Sequence, residues 1–428
     1  MQLPEKTALV LGGGGAKGAY HVGALAALDE LGVRPFGVYG TSIGAVNAAM
    51  YAQGSMDLAA ELWENTRLSD LITPQSLSLA EDAENLFGHP ERLMDFITRY
   101  AHLKGLDITP YAQLLQRYIR EDDVRASKID FGLVATRFPT LAMVERRIAQ
   151  IEEGSLHRWL LASSACFPIF PMTLIGEDRY IDGGFSDNAP VEMAVRAGAQ
   201  HIIALDIGKH KAHDQYDRRP NVTYIRTSQP LGSLLDFSAE RARRCRIIGY
   251  NDVMRAFGRM RGVRYAFDPE DALFLRARAQ EFIVRLTQFE SQLMPSNALT
   301  KRMDSAPLFA LLEEELPEKA DAVDYLLRAC EICADVAGID PTQVLTFQSL
   351  ADGLRTQLPL DKAESMLGSL LGGRIGVLFA SPQPDRKLVI ACLYRLLERE
   401  NIFSSLAMRT LSAFPREMLC AITLREIL

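Results

Sequence analysis

The chain has 428 residues, 48% of them hydrophobic and 24% charged, with a formal net charge of −7 and six cysteines. That length favours two or more cores over one, and the acidic balance argues against wholesale nucleic-acid binding. No apolar run reaches the ~18 residues of a membrane span. The opening MQLPEKTALVL meets Gly12 before a signal-peptide core could form. A cytoplasmic protein is therefore expected, with a peripheral membrane location and export without a cleaved signal left open.

In chain order, Thr7–Leu11 is a short apolar run that ends in glycines, the look of a buried parallel strand. A helix is predicted from about Ala19 to Leu31, a second strand at Phe36–Tyr39, and a second helix in the apolar run after Gly44. Between Leu58 and Arg120 the pattern is helical, broken at Thr73-Pro74, Gly88-His89-Pro90 and Thr109-Pro110. This insertion (58–120) could be a lid or could simply pack on the sheet. Further strands are predicted at Phe131–Arg137, Leu141–Ala149, Arg179–Ile181, His201–Asp206 and Thr223–Arg226, with helices at Ser155–Ala165 and Val191–Ala197. Such alternation means a parallel or mixed sheet with helices on both faces. After Asp268-Pro269 strand signals nearly vanish, and helical spacing of Leu, Ala, Arg and Glu continues to Leu428. Two domains are expected: an α/β domain over 1–268 and a mainly α-helical one over 269–428. Within the latter, Cys330 and Cys333 form a lone CxxC without a second ligand pair, so they read as buried small hydrophobes.

Three segments carry chemistry. In LGGGGAKGAY (Leu11–Tyr20), glycines after a strand let the backbone turn sharply and aim N–H groups at an anion. A phosphate-binding Walker loop needs Ser or Thr after the lysine, and Lys17 is followed by Gly18. Gly13, Gly15 and Gly18 match a dinucleotide fingerprint literally, but the second strand ends Val38-Tyr39-Gly40 without the required carboxylate. What remains is an oxyanion hole built on N–H groups around Gly14 and Gly15. The second segment is Gly40-Thr41-Ser42-Ile43-Gly44, between a short strand and an apolar helix, the setting of a nucleophile elbow. A serine N-cap would use the same geometry. The third is DRYIDGGFSDNAP, in which Asp182 ends a strand before Gly183-Gly184 and Asn188 precedes a helix. Alone, that aspartate is as compatible with a turn as with a catalytic role, and the asparagine with a helix cap.

Together these segments resemble the patatin-like phospholipase family: Gly13-Gly14-Gly15-Ala16-Lys17-Gly18, then Gly40-Thr41-Ser42-Ile43-Gly44, then Asp182-Gly183-Gly184. Weaker blocks agree, namely Ala162-Ser163-Ser164-Ala165 with Phe170-Pro171, and Ile108-Thr109-Pro110. The resemblance covers roughly residues 5–268. It implies a three-layer α/β/α fold around a mostly parallel sheet and hydrolysis of acyl esters of phospholipids, lysophospholipids or neutral lipids. It also implies a dyad in which Ser42 is nucleophile and Asp182 base, with Gly14, Gly15 and the Ile43 N–H as oxyanion donors. No cofactor or metal is required by that chemistry. Two alternatives stand beside it. One is an esterase triad of Ser42, Asp182 and one of His201, His210 or His213. The other is a non-catalytic membrane-binding effector that retains the fold. Last, Arg241–Arg264 concentrates eight arginines against one acid, Asp252, with apolar residues interleaved. An amphipathic helix touching a membrane surface transiently through Arg241, Arg243, Arg244 and Arg246 is one expectation. A solvated helix whose arginines pair with the acidic C-terminal domain is the other.

Overall fold

A computed structural model describes residues 3–73, 106–167, 169–208, 214–216, 219–269, 272–293, 307–317, 319–371, 384–399 and 414–428. They divide into two compact units, Met1–Phe257 and Gly258–Leu428. Among them, no helix is long and apolar enough to cross a membrane.

The first unit is built on one sheet. Its strands are β1 (Thr7–Leu11), β2 (Gly37–Thr41), β3 (Asp130–Phe138), β4 (Ala142–Arg147), β5 (Thr173–Ile175), β6 (Asp178–Asp182), β7 (His201–Asp206) and β8 (Val222–Arg226). The order is β5-β6-β3-β2-β1-β7-β8, with β4 also on β3. Strands β3, β2, β1, β7 and β8 run parallel, while β4, β5 and β6 are antiparallel to their neighbours. Both faces are covered by helices, so the central strands β1 and β2 are buried along their whole length. On one face lies α1 (Ala19–Glu30), buried nearly all round because α8 (Ala239–Ala256) covers its outer side. Two glycines allow that contact. A Cβ on Gly23 would run into the Arg246 carbonyl, and one on Gly249 into that of Tyr20. The remaining helices are α2 (Ile43–Ala52), α3 (Met56–Asn65), α4 (Thr109–Tyr118), α5 (Glu121–Ala126), α6 (Leu156–Ser163) and α7 (Val191–Arg196). The central part of the 58–120 insertion, residues 74–105, lies outside the described residues.

The register brings three chain segments to one end of the sheet. Leu11 pairs with Gly40 on one side and with Leu205 on the other. The glycine loop, the turn after β2 and the turn after β7 therefore leave the sheet together, at the strand carboxyl ends where α/β folds expose chemistry.

The second unit is helical: α9 (Ala272–Leu293), α10 (Pro307–Glu313), α11 (Ala322–Ala337), α12 (Phe347–Gln357), α13 (Leu360–Leu371), α14 (Arg386–Arg399) and α15 (Pro415–Ile427). Its one described sheet pairs β9 (Ala266–Phe267) with β10 (Val344–Leu345). Phe282, Phe289, Leu326, Leu350 and Met418 anchor its core, and Cys330 and Cys333 are buried in it as unbridged thiols.

Candidate active site

Strand β2 ends at Thr41, and the next residue, Ser42, has φ 56° and ψ −128°. A side chain in that region costs on the order of 1–3 kcal/mol and persists only where neighbours impose it. Here they do. A Cβ on Gly40 would strike the backbone of Gly44, and one on Gly44 would strike the Leu11 carbonyl, so only glycines let the turn close. The Ser42 N–H donates to Ser163 Oγ (2.9 Å), which in turn donates to the Val134 carbonyl (2.6 Å). Ser163 thus ties the turn to β3.

Asp182 reaches Ser42 through a head-on junction of two strands. Thr41 of β2 lies opposite Val134, and Asp182 of β6 lies opposite the next residue of β3, Ala135. Because β4 holds the other edge over the same residues, β2 and β6 share one edge of β3 and end against each other. Asp182 is buried, and its Oδ1 accepts the Gly184 N–H (2.7 Å). Burial pushes its carboxyl up to about 6, while the Ser42 hydroxyl and the Gly184 N–H pull it back.

The glycine loop stands against this pair. A Cβ on Gly13 would lie 3.1 Å from Ser42 Cβ. Asn188 clamps Gly13 from both sides, its carbonyl accepting the Gly13 N–H (3.0 Å) and its Nδ2 donating to the Gly13 carbonyl (3.2 Å). The N–H groups of Gly12 and Ala16 go to Leu205 and Leu234. Those of Gly14, Gly15 and Ile43 have no acceptor among the described residues. Gly15 takes φ 56°, Lys17 is buried beside the cavity, and a Cβ on Gly18 would meet the side chains of Ile43 and Trp63.

These groups line a cavity of about 460 Å³. Its walls are mostly apolar: Val46 and Met50 from α2, Leu62 and Trp63 from α3, Leu114 from α4, and Phe237, whose ring stacks on Trp63 at 6.1 Å. The helices flanking residues 74–105 therefore build part of the wall. Tyr111 and Ser164 close one side, joined at 3.1 Å.

Of the three candidate histidines, His201 alone is among the described residues. His201 begins β7 and bonds Thr223 Oγ1 (2.9 Å). It lies five residues before the end of that strand, roughly 16 Å from the carboxyl-terminal end of the sheet. His210 and His213 lie outside the described residues. His21, which sequence reasoning did not single out, is fully buried in α1 against Asn47 (3.3 Å), and burial lowers its pKa to about 3.

The basic segment is a helix only to Ala256, because Gly258 and Gly262 take φ 67° and 97°. Arg241 folds back onto the carbonyls of Leu231 and Ser233, Arg243 and Arg246 share Glu64, and Arg255 pairs with buried Asp252. Arg244 also has a partner. In the second unit, Arg261 pairs with Asp321 and Asp324. Each of these guanidiniums thus has a partner within the protein.

The carboxyl end of the sheet thus carries a glycine loop, a strained serine and a buried aspartate. Residues 9–195 match the family model of the patatin-like phospholipases. Patatin-like phospholipase domain-containing protein 6 of Mus musculus is 29% identical over 209 residues, 48% of this chain. Lysophospholipase NTE1 of Candida albicans is 26% identical over 206 residues, again 48% of this chain. The matches span 14% and 13% of the length of those relatives. Among solved structures, VipD from Legionella pneumophila superposes with a TM-score of 0.35 at 16% identity, over 94% of this chain and 93% of its own.

Proposed function

We propose that this protein is a serine-dependent acyl-ester hydrolase of phospholipids or lysophospholipids that works through Ser42 and Asp182 without a histidine. The observation that carries the proposal is that a conformationally strained serine and a buried, proton-avid aspartate line the same apolar cavity. The names of its relatives support the substrate class.

As the Ser42 hydroxyl attacks the acyl carbonyl, its proton passes to an Asp182 carboxylate oxygen. A carboxyl with a pKa of about 6 is a far better acceptor than an ordinary aspartate and is still ionised at pH 7. Negative charge then grows on the carbonyl oxygen, and the uncommitted N–H groups of Gly14, Gly15 and Ile43 are the donors in place to receive it. Each such donor is typically worth about 3–4 kcal/mol in the transition state. Collapse breaks the ester C–O bond, and Asp182 returns the proton to the departing alcohol. In the second half, Asp182 takes a proton from water, the resulting hydroxide attacks the acyl-serine, and the fatty acid leaves as Ser42 recovers its proton. The apolar wall holds the acyl chain and keeps bulk water away.

Fatty-acid release from lysophospholipid by the purified full chain tests the proposal. Wild type should turn over, while Ser42→Ala and Asp182→Asn should each lose nearly all activity with unchanged circular dichroism. Full activity in either variant would refute it.

A further inference from the structure

Beyond Thr41 the sheet does not stop. It continues past the level of Ser42 as four antiparallel strands, β5-β6-β3-β4, because β6 takes the edge of β3 that β2 vacates. Opposite residues share a face. Leu174 faces Arg179, Arg179 faces Phe138, and Ile181 faces Thr136, which faces Met143. Strand alternation therefore puts these six side chains on one side of the extension. The Thr136 hydroxyl meets Ser186 Oγ at 2.8 Å, which brings that side against the turn carrying Phe185.

The end of this extension is apolar and open to solvent. Leu141, Met143, Leu174 and Phe185 are 55%, 45%, 59% and 54% exposed. The hairpin tip Pro139–Met143 is exposed throughout and carries no charge. Leu141 is also held at φ 55°, a region that suits glycine or asparagine and penalises a leucine. Folding gains nothing from an exposed leucine in that conformation, so its use lies outside the fold. Phe185 fixes what the surface is for, since it also lines the cavity beside Ser42. Phe185 thus belongs both to the exposed apolar surface and to the cavity wall. Arg179, exposed on the same face as Leu174, has no ion-pair partner among the described residues and suits a phosphate headgroup.

We propose that this rim, formed by Leu141, Met143, Leu174 and Phe185, docks the protein on a phospholipid surface, so that an acyl chain enters the cavity without crossing water. This deepens the hydrolase reading and rests on it for the direction of substrate entry. Arg241, Arg243, Arg246 and Arg255 of α8 pair with Asp236, Glu64 and Asp252, whereas the rim is apolar and has no such partners among the described residues.

The test uses the full chain and vesicles of phosphatidylcholine with phosphatidylglycerol. Binding is read by co-sedimentation of the Ser42→Ala protein, so it does not depend on turnover. The variant Leu141→Asp/Met143→Asp/Leu174→Asp should lose more than about tenfold in vesicle binding, since charges replace the side chains that would enter the interface. In the active background it should lose a similar factor on vesicle substrate, yet hydrolyse a monomeric short-chain ester within about twofold of wild type. Leu141→Asn should melt higher than wild type, because asparagine tolerates the left-handed backbone, and should bind vesicles more weakly. Unchanged vesicle binding in the triple variant would overturn the proposal. So would a wild-type dimer in light scattering that the triple variant turns into monomer, since the rim would then cover a second copy. If wild type binds vesicles through the rim but cleaves neither substrate, the docking surface stands and the hydrolase reading falls.

Discussion

The carboxyl end of the sheet and the helical unit treat buried polar groups in opposite ways. In the helical unit, Glu331 is fully buried, yet one of its oxygens accepts the N–H groups of Val263, Arg264 and Tyr265 at 2.6, 2.8 and 3.0 Å, and Arg328 pairs with the other. Glu290 likewise takes the N–H groups of Leu308 and Phe309 at 2.6 and 3.1 Å. These carboxylates hold loops and helix starts in place. At the sheet end, three N–H groups have no acceptor among the described residues, a serine is strained, and an aspartate is buried with the Gly184 N–H on one oxygen. The difference teaches where to look for chemistry: polar capacity that folding leaves uncommitted is available to a reacting molecule.

If that contrast is right, removing the uncommitted groups should cost activity and not stability. The largest effect is expected at Ser42. Ser42→Gly should lower ester turnover by about 10⁴-fold or more. Relief of the backbone strain should meanwhile raise unfolding free energy by about 1 kcal/mol, read by urea denaturation. Glu331→Ala should do the reverse. It strands three N–H groups and weakens the pairing of Arg328, so denaturation should show a loss on the order of 3–5 kcal/mol.

Asp182→Asn sharpens the comparison through its pH dependence. The folded-state pKa of about 6 lies above the ordinary value of 3.8, so the charged form is penalised in the folded protein. That penalty is fully present above pH 6, fades between pH 6 and 4, and is gone where both states are protonated. The asparagine variant should therefore be more stable than wild type at pH 8, by about 3 kcal/mol, and should lose that advantage by pH 4. Thermal melts at the two pH values check it. The smallest effect is on wild-type kinetics. If the carboxylate is the base as proposed, kcat/KM for a soluble ester should be flat above pH 7 and fall about tenfold per unit below pH 6.

Much of this was legible in the sequence because the signals were local. Thr7–Leu11 and His201–Asp206 are bounded so sharply that the predicted and observed strands coincide. Strand β2 runs on through Gly40 and Thr41, which read as turn residues, because their backbones pair with β3. Strand β5 escaped notice, being three residues at an edge. What could not be read was long-range. Asn188 read as a helix cap, and its hold on Gly13 spans 175 positions. The partner of Arg246 could not be read either, since Glu64 lies 182 positions away. Nor does sequence spacing state that β6 ends against β2, the junction on which the approach of Asp182 to Ser42 depends.

The central claim is that Asp182 alone activates Ser42. Covalent capture by a fluorophosphonate, followed over time by intact mass and then by peptide mapping, tests it without any choice of substrate. We expect one adduct, on the peptide carrying Ser42. It should form more than about a hundredfold more slowly in Asp182→Asn, and at the wild-type rate within a few-fold in His201→Gln/His210→Gln/His213→Gln. Loss of labelling in the histidine variant as complete as that in Ser42→Ala would contradict the dyad and put a triad in its place.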